Sequence, residues 1–115
     1  MTAENVGDQW RTLRDDLDRS FVQAKNSMGA VIELSKAYGR LDEAEKGKVN
    51  DVLIEWVLSE DESVRHDALF PVNEYQLRQA VPALRALQDR LEKDASEPGA
   101  PYEWDKVNRI LGRLD

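Results

Sequence analysis

The sequence predicts an all-α fold, with about six helices arranged as three antiparallel pairs in one domain. Apolar residues recur at intervals of three and four along most of the 115-residue chain, which is the pattern of one helix face. No stretch alternates apolar and polar residues with β-branched enrichment, so no strand is predicted. The predicted pairs begin near residues 8, 43 and 79, and this spacing of about 35 residues is typical of helical repeats.

The first predicted pair covers residues 8–25 and 28–39. Asp8 is the predicted N-cap of the first helix. Asn26 and Ser27 can separate the two helices, because Asn tolerates the left-handed conformation and Ser can cap the helix that follows. One uninterrupted helix is the alternative. The apolar faces are formed by Trp10, Leu13, Leu17, Phe21 and Ala24 in the first helix and by Met28, Val31, Leu34 and Tyr38 in the second.

The middle pair is predicted over residues 43–59 and 62–75. The preceding DEAE segment matches a capping box, with Asp42 as the cap and Glu45 reaching back. The third helix is apolar on more than one side and is therefore placed centrally in the stack. Pro71 removes a backbone hydrogen bond and is expected to kink or end the fourth helix. The apolar positions are Val49, Val52, Leu53, Ile54, Trp56, Val57 and Leu58 in the third helix and Val64, Ala68, Leu69, Val72 and Tyr75 in the fourth.

The last pair is predicted over residues 79–94 and 102–114. Pro82 suits the first turn of its helix, where a missing N–H leaves no hydrogen bond unmade. The SEPGAP segment, residues 96–101, predicts a loop. The apolar lines contain Ala80, Leu84, Leu87 and Leu91, followed by Trp104, Val107, Ile110, Leu111 and Leu114. Trp104 is close to a helix start, so a surface groove shared with Tyr102 is an alternative to core burial.

Composition excludes several classes of function. The chain has no cysteine and a single histidine, so neither a disulfide nor a metal site is expected, and no cofactor is predicted. The net charge of −7 argues against binding to nucleic acid, whose affinity comes mainly from Lys and Arg. The N-terminus lacks the pattern of a secretion signal, and no apolar run approaches a membrane span. A cytoplasmic location with no membrane contact is therefore expected.

Charge is distributed unevenly along the chain. Residues 1–40 hold six acids and six bases, residues 78–115 hold seven and seven, and residues 41–77 hold ten acids and three bases. The middle segment therefore predicts an acidic docking face for a basic protein partner, with improved solubility as the alternative explanation. The candidate residues are Asp51, Glu55, Asp67 and Glu74, with Glu60, Asp61 and Glu62 as weaker candidates because helix capping already explains them.

Two groups in the segment LSEDESVRHDALF have both a chemical and a structural interpretation. His66 beside Asp67 has the residue types of acid–base chemistry, but no nucleophile motif or phosphate loop accompanies it, so catalysis is not expected. Asp61 and Arg65 are spaced for an i,i+4 pair at a helix start. An exposed recognition pair is the alternative for these two residues.

Residues 49–87 resemble a HEAT repeat that runs into the next one. The family pattern has an apolar helix, a short acidic turn, a Val-Arg pair, an Ala and then a Pro-bearing helix. The matching positions are Leu58, Asp61, Val64, Arg65, Ala68, Pro82 and Leu84, whereas Asn73, Glu74 and Tyr75 replace the usual Leu-Gly helix end. The resemblance implies a short right-handed stack used for protein–protein contact. It also implies that Asp61 and Arg65 have structural roles between neighbouring repeats.

These observations predict a non-catalytic protein-binding module of bacterial type. The specific form predicted is an immunity protein or antitoxin that neutralises a basic toxin such as a nuclease. An adaptor or a subunit of a larger assembly is the alternative. A helical-repeat enzyme of the DNA glycosylase type is less favoured, because the chain is short and acidic. The sequence does not predict an oligomeric state.

Overall fold

The computed structural model describes residues 5–23, 27–94 and 96–114, and these residues form an all-helical structure. The predicted fold class is therefore confirmed. The helices are α1 (Val6–Gln23), α2 (Ser27–Gly39), α3 (Glu43–Val57), α4 (Glu62–Glu74), α5 (Val81–Lys93) and α6 (Ala100–Leu114), with a 3₁₀ turn at Arg78–Ala80. None of the described helices has the length and apolar content needed to cross a membrane.

The chain forms two compact units, Met1–Val52 and Leu53–Asp115, and the division falls within α3. In the first unit α1 packs against α2. Trp10 is fully buried and meets the ring of Tyr38 edge-on, with 6.4 Å between the ring centroids. The Tyr38 hydroxyl donates a hydrogen bond of 2.6 Å to Asn50 Oδ1. Because Trp10 lies near the start of α1 and Tyr38 near the end of α2, the two helices run antiparallel.

In the second unit α5 and α6 also run antiparallel. Gln88 Nε2 donates to Asn108 Oδ1 at 3.0 Å, and Trp104 Nε1 donates to Glu92 Oε1 at 3.2 Å. Residues 88 and 92 of α5 thus contact residues 108 and 104 of α6, in the reverse order expected of antiparallel helices. The apolar residues buried in this unit include Leu53, Trp56, Val57, Leu69, Val72, Leu84, Leu87, Leu91, Val107, Ile110 and Leu111.

Helices α4 and α6 run parallel in a nearly constant register. The pairs Arg65–Glu103, His66–Lys106 and Asn73–Arg113 are in contact and are separated by 38, 40 and 40 residues. The contacting residue on α6 therefore moves towards the C-terminus as the contacting residue on α4 does. This register brings the start of α4 against the start of α6, where the candidate site lies.

Three local predictions are confirmed by backbone geometry. Glu45 N–H donates to Asp42 Oδ1 at 2.8 Å and Asp42 N–H donates to Glu45 Oε1 at 3.0 Å, which completes the capping box. Pro82 lies in the first turn of α5. Pro71 lies inside α4, which ends three residues later at Glu74.

Four predicted helix starts differ from the structure by one or two residues. Helix α2 begins one residue earlier, at Ser27, and α5 begins two residues later, at Val81, after the 3₁₀ turn. The other two differences change the role of individual residues. Helix α1 begins at Val6, so Asp8 lies in its first turn, 3.5 Å from Arg11, and is not the N-cap. Helix α6 begins at Ala100, so the predicted loop is two residues too long. Pro101 is the second residue of α6, where the fixed φ of proline suits a helix. An N–H at this position would have no intrahelical partner, so its absence costs no hydrogen bond. Gly99, at φ 84°, makes the preceding turn in a conformation that favours glycine.

Two apolar residues predicted to be buried are exposed at helix ends. Leu58 is 44% exposed because α3 ends at Val57, and Tyr75 is 37% exposed because α4 ends at Glu74. The predicted break at Asn26 lies outside the described residues.

Candidate docking site

A buried ion pair anchors the start of α4. Arg65 Nε donates to Glu103 Oε1 at 2.6 Å, and Arg65 Nη2 donates to Glu103 Oε2 at 2.9 Å. Arg65 is 8% exposed and Glu103 is 7% exposed. This bidentate contact, acting through its hydrogen bonds and charge, raises the pKa of Arg65. The pair fixes α4 against α6.

Two arginines also hold the turn between α3 and α4 through its main-chain carbonyls. Arg65 Nη1 donates to the carbonyls of Ser59 and Glu60, both at 3.0 Å. Arg90, on α5, donates from Nη1 to Leu58 O at 3.2 Å and from Nη2 to Ser59 O at 2.8 Å. These carbonyls lie between the end of α3 and the start of α4, where no helix ladder supplies donors, and the two guanidinium groups supply them instead.

The structure corrects the predicted Asp61–Arg65 ion pair. Asp61 is the N-cap of α4, and its Oδ1 accepts a hydrogen bond of 2.9 Å from Ser63 N–H. Arg65 turns instead towards Glu103, because α6 packs beside α4 and offers a buried carboxylate. Asp61 therefore stabilises the helix start, while Arg65 connects separate elements.

A cleft of about 340 Å³ opens beside this turn. Five carboxylates and two guanidinium groups line it, and they belong to Glu60, Glu62, Asp94, Glu97, Glu103, Arg65 and Arg90. Glu103 is neutralised by Arg65, whereas the other four carboxylates are on exposed residues. The cleft is therefore electronegative, with its acids supplied by the α3–α4 turn and by the segment between α5 and α6.

The predicted acidic face is only partly retained. Glu60, Asp61 and Glu62 are exposed, and Glu60 and Glu62 line the cleft. Asp67 is 5% exposed and cannot belong to an exposed face. Asp67 is buried because the buried face of α4 is wider than the predicted apolar stripe. Besides the predicted stripe through Ala68 and Val72, that side includes Asp67 and Pro71.

The other predicted face residues lie elsewhere. Asp51 is exposed on α3 within the first unit. Glu55 and Glu74 are exposed in the second unit but do not line the cleft. Asp94 and Glu97 were missed, because residues 78–115 are balanced in charge as a whole. The available signal was their position at the predicted loop, since Asp94 lies just before the SEPGAP segment and Glu97 lies within it.

His66 is half-buried next to a lysine. Lys106 Nζ lies 2.8 Å from His66 Nδ1. Burial first, and then the charge of Lys106, lower the pKa of His66. The neutral ring can accept a hydrogen bond from the ammonium group, so the geometry explains His66 as a packed structural side chain. In the described part of the chain, no group of three or more His, Asp or Glu side chains is arranged to hold a metal ion.

Trp104 and Tyr102 have different surroundings. Trp104 donates a hydrogen bond to Glu92 on α5, whereas Tyr102 is 74% exposed and lines a groove with Phe70 of α4. The predicted groove shared by the two rings stays a prediction.

Comparison of the chain with protein-family models, with curated proteins and with solved structures found no match. The HEAT-like resemblance of residues 49–87 therefore stays a prediction. A functional assignment has to be argued from the charges and contacts of the chain itself.

Proposed function

We propose that the chain is a non-catalytic protein-binding module whose acidic cleft receives basic side chains of a protein partner. The observation that carries the proposal is the group of four exposed carboxylates around one cleft, at Glu60, Glu62, Asp94 and Glu97. Lysine and arginine side chains complement such a surface, and the resulting field accelerates encounter.

The backbone beneath these carboxylates supports the proposal. Arg65 and Arg90 hold the α3–α4 turn through four hydrogen bonds to its carbonyls. Glu60 and Glu62 therefore project from a segment whose path is set before a partner arrives. Pre-organisation reduces the ordering cost of association, so a small charged surface can bind with useful affinity.

The specific role we propose is that of a cytoplasmic immunity protein or antitoxin that neutralises a basic toxin. Nucleases fit this description, because a protein that binds phosphates does so mainly with Lys and Arg. An adaptor would use the same cleft, and the genes next to this one distinguish the two roles. A neighbouring toxin gene supports immunity, and a run of metabolic genes supports an adaptor.

The proposal is tested by capturing a partner from the source cell and measuring its association rate at low and high salt. We expect a basic partner whose association slows steeply as salt rises, because screening weakens electrostatic steering. Asp94→Lys and Glu97→Lys should each slow association several-fold. Asp94 directly follows the last turn of α5, where a positive charge suits the helix dipole. Both side chains are exposed, so the fold should be retained.

Asp89→Lys is the matched control, since Asp89 is exposed on α5 and does not line the cleft. It makes the same change in net charge and should have the smallest effect on the rate. An acidic partner, a rate that is indifferent to salt, or an equal effect of Asp89→Lys would each contradict the proposed function.

A further inference from the structure

We infer that a groove between α4 and α6 is a second docking surface, which binds an acidic and partly apolar segment of a protein partner. The groove has a volume of about 370 Å³. Its walls include Phe70, Tyr102, Lys106, Arg109, Ile110 and Arg113, and it is called the cationic groove below. It shares no lining residue with the acidic cleft, so this inference does not depend on the proposed function.

The charge of the cationic groove is opposite to that of the chain. Lys106, Arg109 and Arg113 are spaced by three and four residues on α6, so they occupy one side of the helix. No carboxylate is among the described residues that line the groove, although the chain carries a net charge of −7. Three like charges on adjacent turns repel one another. An anionic ligand would relieve that repulsion.

Neither Arg109 nor Arg113 forms an ion pair with a carboxylate in the described part of the chain, whereas Lys106 is attracted by Glu103. Arg113 Nη1 donates to the neutral amide of Asn73 at 3.0 Å, and Arg109 Nε makes a long contact of 3.4 Å with the carbonyl of Asp105. Lys106 lies against the imidazole of His66 at 2.8 Å. These contacts orient the side chains, and Glu103 is already paired with Arg65, so hydrogen-bonding capacity and charge remain for a ligand, above all on Arg109 and Arg113.

The apolar part of the groove narrows the choice of ligand. Phe70 and Ile110 contribute apolar walls, and Tyr102 is 74% exposed at the start of α6. Tyrosine and arginine are both enriched where proteins bind proteins, and this groove is lined by both. A ligand that fills this groove therefore combines carboxylates with at least one apolar side chain.

An acidic peptide segment fits these features better than nucleic acid does. Arginine pairs with carboxylates in a bidentate geometry, which suits aspartate and glutamate side chains. Nucleic-acid affinity instead grows with the number of phosphates that are neutralised, and only three cations are among the described residues that line this groove. The excess negative charge of the chain also repels an extended polyanion.

The test uses fluorescence anisotropy of the full chain at low salt with three labelled probes. These are an oligo-glutamate peptide with a central leucine, the same peptide without the leucine, and an oligothymidylate of equal charge. We expect the leucine-containing peptide to bind most tightly. Arg109→Glu and Arg113→Glu should each weaken its binding several-fold, and Tyr102→Ser should reduce the preference for the leucine.

Lys93→Glu is the matched control, because Lys93 is exposed on α5 and does not line the groove. It should leave peptide binding nearly unchanged, and circular dichroism should show that every variant keeps its helical content. Glu97→Lys, which alters the acidic cleft, should not weaken peptide binding. That result separates the two surfaces.

Three outcomes would overturn the inference. The first is that neither peptide binds, or that Lys93→Glu weakens binding as much as Arg109→Glu does. The second is that oligothymidylate binds most tightly and loses affinity in the same variants, which would assign the groove to nucleic acid. The third is that sedimentation shows self-association that Arg109→Glu abolishes, which would assign the groove to a second copy of the chain.

Discussion

At the residue scale, the Arg65–Glu103 pair determines how α4 is held against α6. Both side chains are almost fully buried, so removing either one leaves a charge without its partner away from water. We expect Arg65→Ala and Glu103→Ala each to lower the free energy of unfolding by about 3–5 kcal/mol, the range for broken buried pairs. Denaturant unfolding monitored by circular dichroism measures the loss.

The double variant Arg65→Met with Glu103→Leu distinguishes loss of the charge pair from loss of volume. It removes both charges while keeping apolar volume, so we expect it to be more stable than either alanine variant. Recovery should be incomplete, because the carbonyl of Glu60 also loses its donor. Alanine variants within about 0.5 kcal/mol of the wild type, the range of ordinary surface changes, would contradict the structural role of the pair.

The environment of His66 should make the free energy of unfolding depend on pH. Burial and the neighbouring Lys106 lower the pKa of His66 in the folded state, although Glu62 and Glu103 oppose this in part. As pH falls below about 6.5, the unfolded chain takes up the proton first, so stability falls until the folded pKa is passed. Unfolding measured across this range should show a loss in the wild type that is reduced in His66→Gln. Equal slopes in the two proteins would rule out this contribution.

Sequence reasoning located Arg65 but not its partner. Asp61 is four residues away and Glu103 is 38 residues away, and only local spacing can be read from a single sequence. The same limit concealed Asp94 and Glu97, which reach the α3–α4 turn through the fold. Asp67 was assigned to the surface because a charged side chain is usually exposed.

At the scale of elements, the capping box of α3 is a local and separable contribution. Asp42 Oδ1 accepts a hydrogen bond of 2.8 Å from Glu45 N–H. We expect Asp42→Ala to lower the free energy of unfolding by about 1 kcal/mol, the usual cost of losing an N-cap. Thermal unfolding measures the change. Lys48→Ala, an exposed change on the same helix, is the control and should stay within about 0.5 kcal/mol. Equal effects of the two changes would contradict the cap.

Helices were predicted well where local chemistry determines their ends. The capping box marks the start of α3, and Pro82 lies in the first turn of α5, as the sequence indicated. The start of α6 was placed too late, because Pro101 was interpreted as a breaker although it also suits a second helical position. Exposure of Leu58 and Tyr75 could not be predicted, because it depends on where each helix ends to within one residue.

At the scale of the whole molecule, the concentration of acids in residues 41–77 predicts a response to salt. Ten acids and three bases lie in that segment, so exposed carboxylates repel one another. Raising salt from about 0.01 M to about 0.15 M shortens the screening length from about 30 Å to about 8 Å, so we expect the melting temperature to rise. The buried Arg65–Glu103 pair is screened less and should offset little of this gain.

Asp51→Lys is the variant that checks the source of the effect. Asp51 is exposed on α3, and its reversal removes one negative charge from the acidic segment and adds one positive charge. The salt dependence of its melting temperature should be shallower than that of the wild type. A melting temperature that falls with salt in both proteins would mean that exposed ion pairs outweigh the repulsion.

The hydrogen bonds from Arg65 and Arg90 to the α3–α4 turn have an evolutionary consequence. Both arginines recognise main-chain oxygens of residues 58–60, and every amino acid supplies such an oxygen. The exposed side chains of Leu58 and Glu60 can therefore be exchanged while the path of the turn persists. Deleting one residue there would instead displace the oxygens themselves. The fold therefore tolerates substitutions at these two positions of the turn. Homologues that had to bind a changed partner could vary these two side chains while the backbone of the turn stays the same.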